Sequence, residues 1–172
     1  MSSIIKVDQI QLADGSTPTA GDLGLNTTGS VLQVLSSEYT GGQLETTSNS
    51  LSELTTALRV TVTPSSTSNK LLIMACIRAE INADSQADNE GRFQIWDVTN
   101  SSSIKDQYTR YYDRGGSGIL GVDTRTVMAL HSPSTTSATT YTLRFANVTS
   151  GSGGSWLRLS QETELIIQEI AG

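Results

Sequence analysis

The sequence predicts an all-β fold: a single jelly-roll-like antiparallel β-sandwich of about eight strands over residues 30–172, preceded by an extended N-terminal arm over residues 1–29. Three observations predict it. Short alternating segments recur along the chain, separated by clusters of Ser, Thr, Gly and Pro. No amphipathic helix comparable to an ordinary globular helix interrupts them. One segment, KLLIMACIRAEIN at residues 70–82, is the longest apolar run and reads as the central strand. No repeat period of solenoid or propeller length is present.

The central strand carries the main inference. Leu71, Ile73, Ala75, Ile77, Ala79 and Ile81 alternate as one apolar face. Leu72, Met74 and Cys76 make the opposite face apolar too, until Arg78 and Glu80 turn it polar. Antiparallel sheets usually keep one face wet. A strand apolar on both sides therefore needs a second cover, and Leu72, Met74 and Cys76 are assigned to an interface with another copy of the chain. The alternative cover is a helix or loop lid, for which no long helix is visible.

The arm comes first in the chain. SSIIKVDQIQL alternates briefly, and ADGSTPTAGDLGLNTTG is dense in turn formers. It has too few apolar residues to offset the entropy of ordering. Docking on a neighbouring protein through Ile4, Ile5, Val7, Ile10, Leu12 and Leu23 is the preferred reading, and a loose leader is the other.

Strand candidates follow in order. SVLQVLSSEY at residues 30–39 is the first, then a polar loop holding Gly41 and Gly42. SLSELTTAL reads as either a helical turn or an edge strand. Residues 57–63 alternate through Leu58, Val60 and Val62, and Pro64 opens the turn into the central strand. GRFQIWDV at residues 91–98 sets Phe93 and Ile95 opposite Gln94 and Trp96. Residues 104–112 form a tyrosine-rich strand and residues 119–132 one or two more, with Val127 and Ala129 opposite Met128 and Leu130. Residues 139–148 place Tyr141, Leu143 and Phe145 on one side. Residues 156–159 and 164–170 close the domain.

Composition narrows the function. The 172 residues suffice for one domain with a core, and hydrophobic content of 36% fits many Thr-rich strands. A net charge of -6 argues against binding nucleic acid, which needs a basic face. No apolar run reaches membrane-spanning length and the opening MSSIIKVD lacks a secretory pattern, so a soluble protein without membrane insertion is expected. The lone Cys76 cannot form an intrachain disulfide.

Catalytic chemistry finds little to stand on. A serine triad would have to use His131, the single histidine, and no nucleophile elbow is present. The acidic stretch with Asp84, Asp88, Asn89 and Glu90 misses the calcium-loop spacing. Glu162 and Glu164 are expected on one face of the last strand, as a solvated edge rather than a hydrolase pair. No catalytic residue, metal or cofactor is assigned. Trp96, Tyr108, Arg110, Tyr111 and Tyr112 form the one hint of a ligand surface, a possible glycan contact through ring stacking, against ordinary rim packing.

Four segments, in order, carry a resemblance: IIKVDQIQLADGSTPTAGDLGLN, GSVLQV, RVTVTPSSTSNKLLIMACI and ELIIQEIAG. Together they resemble fibre and other virion structural proteins of tailed bacteriophages, especially those of marine bacteria. The resemblance implies a non-enzymatic virion component, assembled in the cytoplasm of a host bacterium and commonly a homotrimer. It further implies an arm that anchors the β-domain to another virion protein of capsid or tail. The chain is short for a shafted tail fibre, which favours a knob, a fibre-tip module or a capsid decoration. Recognition of a host-surface glycan, as in a receptor-binding module, is the alternative role.

Overall fold

The computed structural model describes residues 10–18, 21–24, 28–83, 88–112, 119–148 and 156–172. Its strands are β1 (Val31–Tyr39), β2 (Leu44–Thr46), β3 (Val60–Val62), β4 (Lys70–Ala83), β5 (Asp88–Asp97), β6 (Ser102–Tyr112), β7 (Ile119–His131), β8 (Thr139–Asn147), β9 (Trp156–Leu159) and β10 (Thr163–Ile170). A short 3-10 turn, Thr56–Leu58, precedes β3. All pairings are antiparallel.

Four of these strands are the halves of two broken ribbons. β9 and β10 both run along the same edge of β4, with Leu159 opposite Ala79 and Glu164 opposite Cys76. The turn between them, where Glu162 adopts φ 74°, is a bulge in one long ribbon. β1 and β2 follow that ribbon on its far side, as Tyr39 opposite Thr163 and Leu44 opposite Leu159 show. At the break, the Tyr39 ring lies where a Cβ on Gly41 would sit, so any other residue there would displace the ring.

Counted as ribbons, the strands number eight, and their order is that of a jelly roll. The first sheet runs β7, β4, β9/β10, β1/β2, and the second runs β3, β8, β5, β6. First pairs with last (β1 with β10), second with seventh (β3 with β8), third with sixth (β4 with β7) and fourth with fifth (β5 with β6). A long hairpin rolled on itself gives this nesting.

The core lies between the sheets. The odd-numbered residues Leu71 to Ile81 of β4 are buried, facing Phe93, Ile95, Leu143 and Phe145 of the second sheet. Phe93 and Phe145 meet edge to face at 5.9 Å. At Gly91 a Cβ would press within 3.0–3.4 Å of Ile81, Thr109 and Leu157, so glycine sets the close approach of the sheets there. The segment predicted as helical turn or edge strand contains the turn and, in place of a strand, one isolated bridge. Ser52 bridges Phe145 and the 3-10 turn follows. β3 starts at Val60 rather than residue 57 because that turn occupies Thr56–Leu58, and β7 is a single strand. Glu162 lies in the bulge, ion-paired to Arg78, rather than on one strand face with Glu164.

Candidate functional site: the two outer faces

Alternation along β4 decides which side chains leave the core. With its odd positions inward, Leu72, Met74 and Cys76 project from the outer face of the first sheet, where each is half-buried. Register extends that face sideways. Leu72 stands beside Leu130 and Gln168, and Met74 beside Met128 and Ile166. Val34, opposite Gln168, closes the row. Met128 is 56%, Leu130 60% and Val34 55% exposed, so the flanks of the band are not covered by the described parts of its own chain. Scattered apolar side chains on a surface are ordinary; several adjacent on one sheet face are not.

Charges border the band. At the β4 N-terminal side stands Lys70, exposed and without an ion-pair partner among the described residues. On the other side stand Glu38 and Glu164, neighbours in register beside Cys76 and also without a cationic partner among the described residues. One row further, Arg78 and Glu162 pair with each other at 2.7 Å.

The outer face of the second sheet is built otherwise. Arg92 pairs with Asp106 at 2.8 Å, and Asp106 also accepts a hydrogen bond from Gln94. Arg110 pairs with Glu90, and Arg144 stacks 3.9 Å from the Trp96 ring centre. Arg59 pairs with Glu53, which also accepts from Thr142. Hydrogen bonding to Arg59 holds the Glu53 carboxyl below its ordinary pKa, against the opposing effect of burial.

Of the residues predicted to touch a glycan, Tyr108 and Arg110 are exposed on this face, with Arg92 5.2 Å from the Tyr108 ring centre. Trp96 belongs to the same sheet but stands four residues along β5 from Arg92, the partner of Tyr108, roughly 13 Å away. The side chains of Tyr111 and Tyr112 lie outside the described residues; their backbones pair with Asn89 and Asp88.

The arm residues Ile10, Leu12 and Leu23 are 50%, 38% and 45% exposed. The arm's turns hydrogen-bond locally, Gly15 to Leu12 and Gly24 to Gly21, and Gly29 meets the domain at Ala171. Ile4, Ile5 and Val7 lie outside the described residues.

His131 ends β7 and packs edge-on against Tyr141 at 5.8 Å. Burial holds its pKa below the ordinary value, opposed by Asp97. Among the described residues it hydrogen-bonds to no serine, and no cluster could hold a metal ion. No helix among them is long and apolar enough to cross a membrane.

Glu169 is a buried residue that strand patterning alone did not mark as functional. This carboxylate is 1% exposed at the end of β10 and accepts hydrogen bonds from Gln33, Asn69 and both the backbone and hydroxyl of Ser65. Burial raises its pKa, but these four bonds outweigh it and the net shift is downward. Its signal was available: Glu169 shares the inward parity of Leu165 and Ile167.

No protein-family model matches the sequence, and no curated protein does. Among solved structures, the chain is similar to the infectious bursal disease virus VP2 subviral particle, at 11% identity and TM-score 0.44 over 81% of this chain and 33% of that one. A structure of the Gt strain of that virus matches at 11% identity and TM-score 0.40, over 81% and 32%. A Bacteroides thetaiotaomicron lipoprotein matches at 9% identity and TM-score 0.34, over 84% and 86%. The chain spans about a third of the viral chains it matches. At these scores the likenesses carry no functional argument, and the jelly roll rests on the strand order itself.

Proposed function

We propose that the chain is a non-enzymatic structural protein of a virus particle of the tailed-bacteriophage type. In this reading it self-associates through the outer face of the first sheet, and its arm holds a neighbouring capsid or tail protein. The observation that carries the assembly role is the apolar band in which exposed Met128 and Leu130 flank half-buried Leu72 and Met74, on a face that would otherwise be polar. The exposed Ile10, Leu12 and Leu23 support the anchoring role. The sequence resemblance supports the particle, and it implies a homotrimer.

Deleting residues 1–25 tests the anchor. The expected product keeps its β circular dichroism spectrum and no longer enters particles in an infected-cell incorporation assay. Undiminished incorporation overturns the anchoring role.

A second reading, recognition of a host-surface glycan, is favoured by one observation. Tyr108 keeps 47% of its surface exposed between Arg92 and Arg110. Glycan-array binding that disappears in Tyr108→Ala supports it. Failure of the native protein to bind envelope glycans or host cells rejects it.

A further inference from the structure

The border charges say how two copies would meet. Four successive outward rows cross the first sheet: Lys70 with Ile170; Leu72 with Leu130 and Gln168; Met74 with Met128 and Ile166; Cys76 with Glu164 and Glu38. The two middle rows are the apolar band. The outer rows carry opposite charge, a cation at one end and two carboxylates at the other, all without ionic partners among the described residues.

Two limiting arrangements relate two sheets stacked face to face by a two-fold axis in the plane between them. An axis along β4 lays each row on itself, so Lys70 meets Lys70 and the carboxylates of Glu164 and Glu38 face the β7 side of the other copy, away from any lysine of that row. An axis across the strands, level with Ile73, inverts the row order. It lays Leu72 and Leu130 over the other copy's Met74 and Met128. It also brings Lys70 beside the other copy's Glu164. Like charges repel and opposite charges steer encounter and fix register, so the second arrangement is selected.

We propose that the occupant of this face is a second copy of the same chain, packed antiparallel about a two-fold axis across β4, with Lys70 reaching Glu164 of its mate. The proposal rests on the self-association put forward above and gives it a geometry. A patch that matches itself closes as a pair. It therefore departs from the trimer that the resemblance implies, since a three-fold ring needs a second, different patch.

The native chain suits a direct test, because it has one cysteine and its lysines are Lys6, Lys70 and Lys105. Lys70 and Cys76 are six residues apart on β4, roughly 20 Å along the strand, too far for a short amine-to-thiol linker within one chain. Across the proposed axis they are opposite each other. The full-length protein is examined by sedimentation equilibrium and then cross-linked. The expected results are a dimer mass and a Lys70–Cys76 peptide joining two chains. Lys70→Glu and Glu164→Lys each weaken the dimer about tenfold, and the double variant regains most of the loss. A monomer at all concentrations overturns both the self-association and its geometry. A trimer, or a dimer that lacks the Lys70–Cys76 link and shows no rescue, overturns the two-fold pairing while leaving self-association standing.

Discussion

On the outer face of the second sheet, arginines are matched within the chain: Arg92 with Asp106, Arg110 with Glu90, Arg144 with the Trp96 ring. At the corresponding outward positions of the first sheet stand Leu72, Met74, Met128 and Leu130, and the last two keep more than half their surface. Both faces back the same core and share the same alternation. They differ in what completes them. Paired charges keep a wet sheet face soluble without a partner, whereas an apolar band loses free energy for every square ångström left in water. Under the proposed self-association, the outer face of the second sheet meets solvent and that of the first meets protein.

The strongest way to break this contrast is to make the faces alike. Met74→Lys places a charge in the middle of the band. Its expected effect is a roughly 100-fold or greater loss of self-association by sedimentation, with the thermal unfolding of the dilute protein nearly unchanged. A protein that still associates normally would show that the band is not the contact.

A second substitution separates folding from assembly. Glu169→Gln replaces a buried carboxylate that gathers donors from Gln33, Asn69 and Ser65, and should cost about 1–3 kcal/mol of folding stability in urea titrations at neutral pH. Association, corrected for the unfolded fraction, should not change. The pH dependence has a definite sign. The folded-state pKa of Glu169 lies below the ordinary glutamate value. Its contribution is thus fully present above that value and is lost as pH falls through the lower folded pKa. The stability difference between native protein and Glu169→Gln should accordingly stay constant above the ordinary glutamate value and shrink as pH falls from it through the lower folded pKa; a difference that does not shrink in acid contradicts the assignment.

The smallest effect belongs to the wet face. Arg92 and Asp106 are each about a third exposed, and such pairs contribute at most about 1 kcal/mol. A double-mutant cycle with Arg92→Ala and Asp106→Ala should return a coupling in that range and leave association untouched. A change in association would mean that the charge-paired face is also a contact surface.

Much of this was legible in the sequence because sheet alternation is local. The period of two through residues 70–82 gave β4 and both of its faces, and the parities of Phe93, Ile95, Tyr141, Leu143 and Phe145 gave the opposing core wall. β2 escaped, since Leu44–Thr46 is three residues long beside Gly41 and Gly42 and has no room to alternate. The bulge joining β9 to β10 and the rolled strand order depend on non-local pairing, which no local pattern encodes. The same limit hid the extent of the band. Leu72, Met74 and Cys76 were readable on their own strand, but only the register beside Met128, Leu130, Ile166 and Glu164 shows the row order and its charged borders.

Cys76 offers the most direct test of the claim that this face is covered by protein, since it lies beside the band and is the single thiol. Its rate of maleimide labelling in the full-length native protein should be slow at high concentration and rise on dilution toward that of Met74→Lys. A rate independent of concentration and equal to that of Met74→Lys throughout would contradict the account.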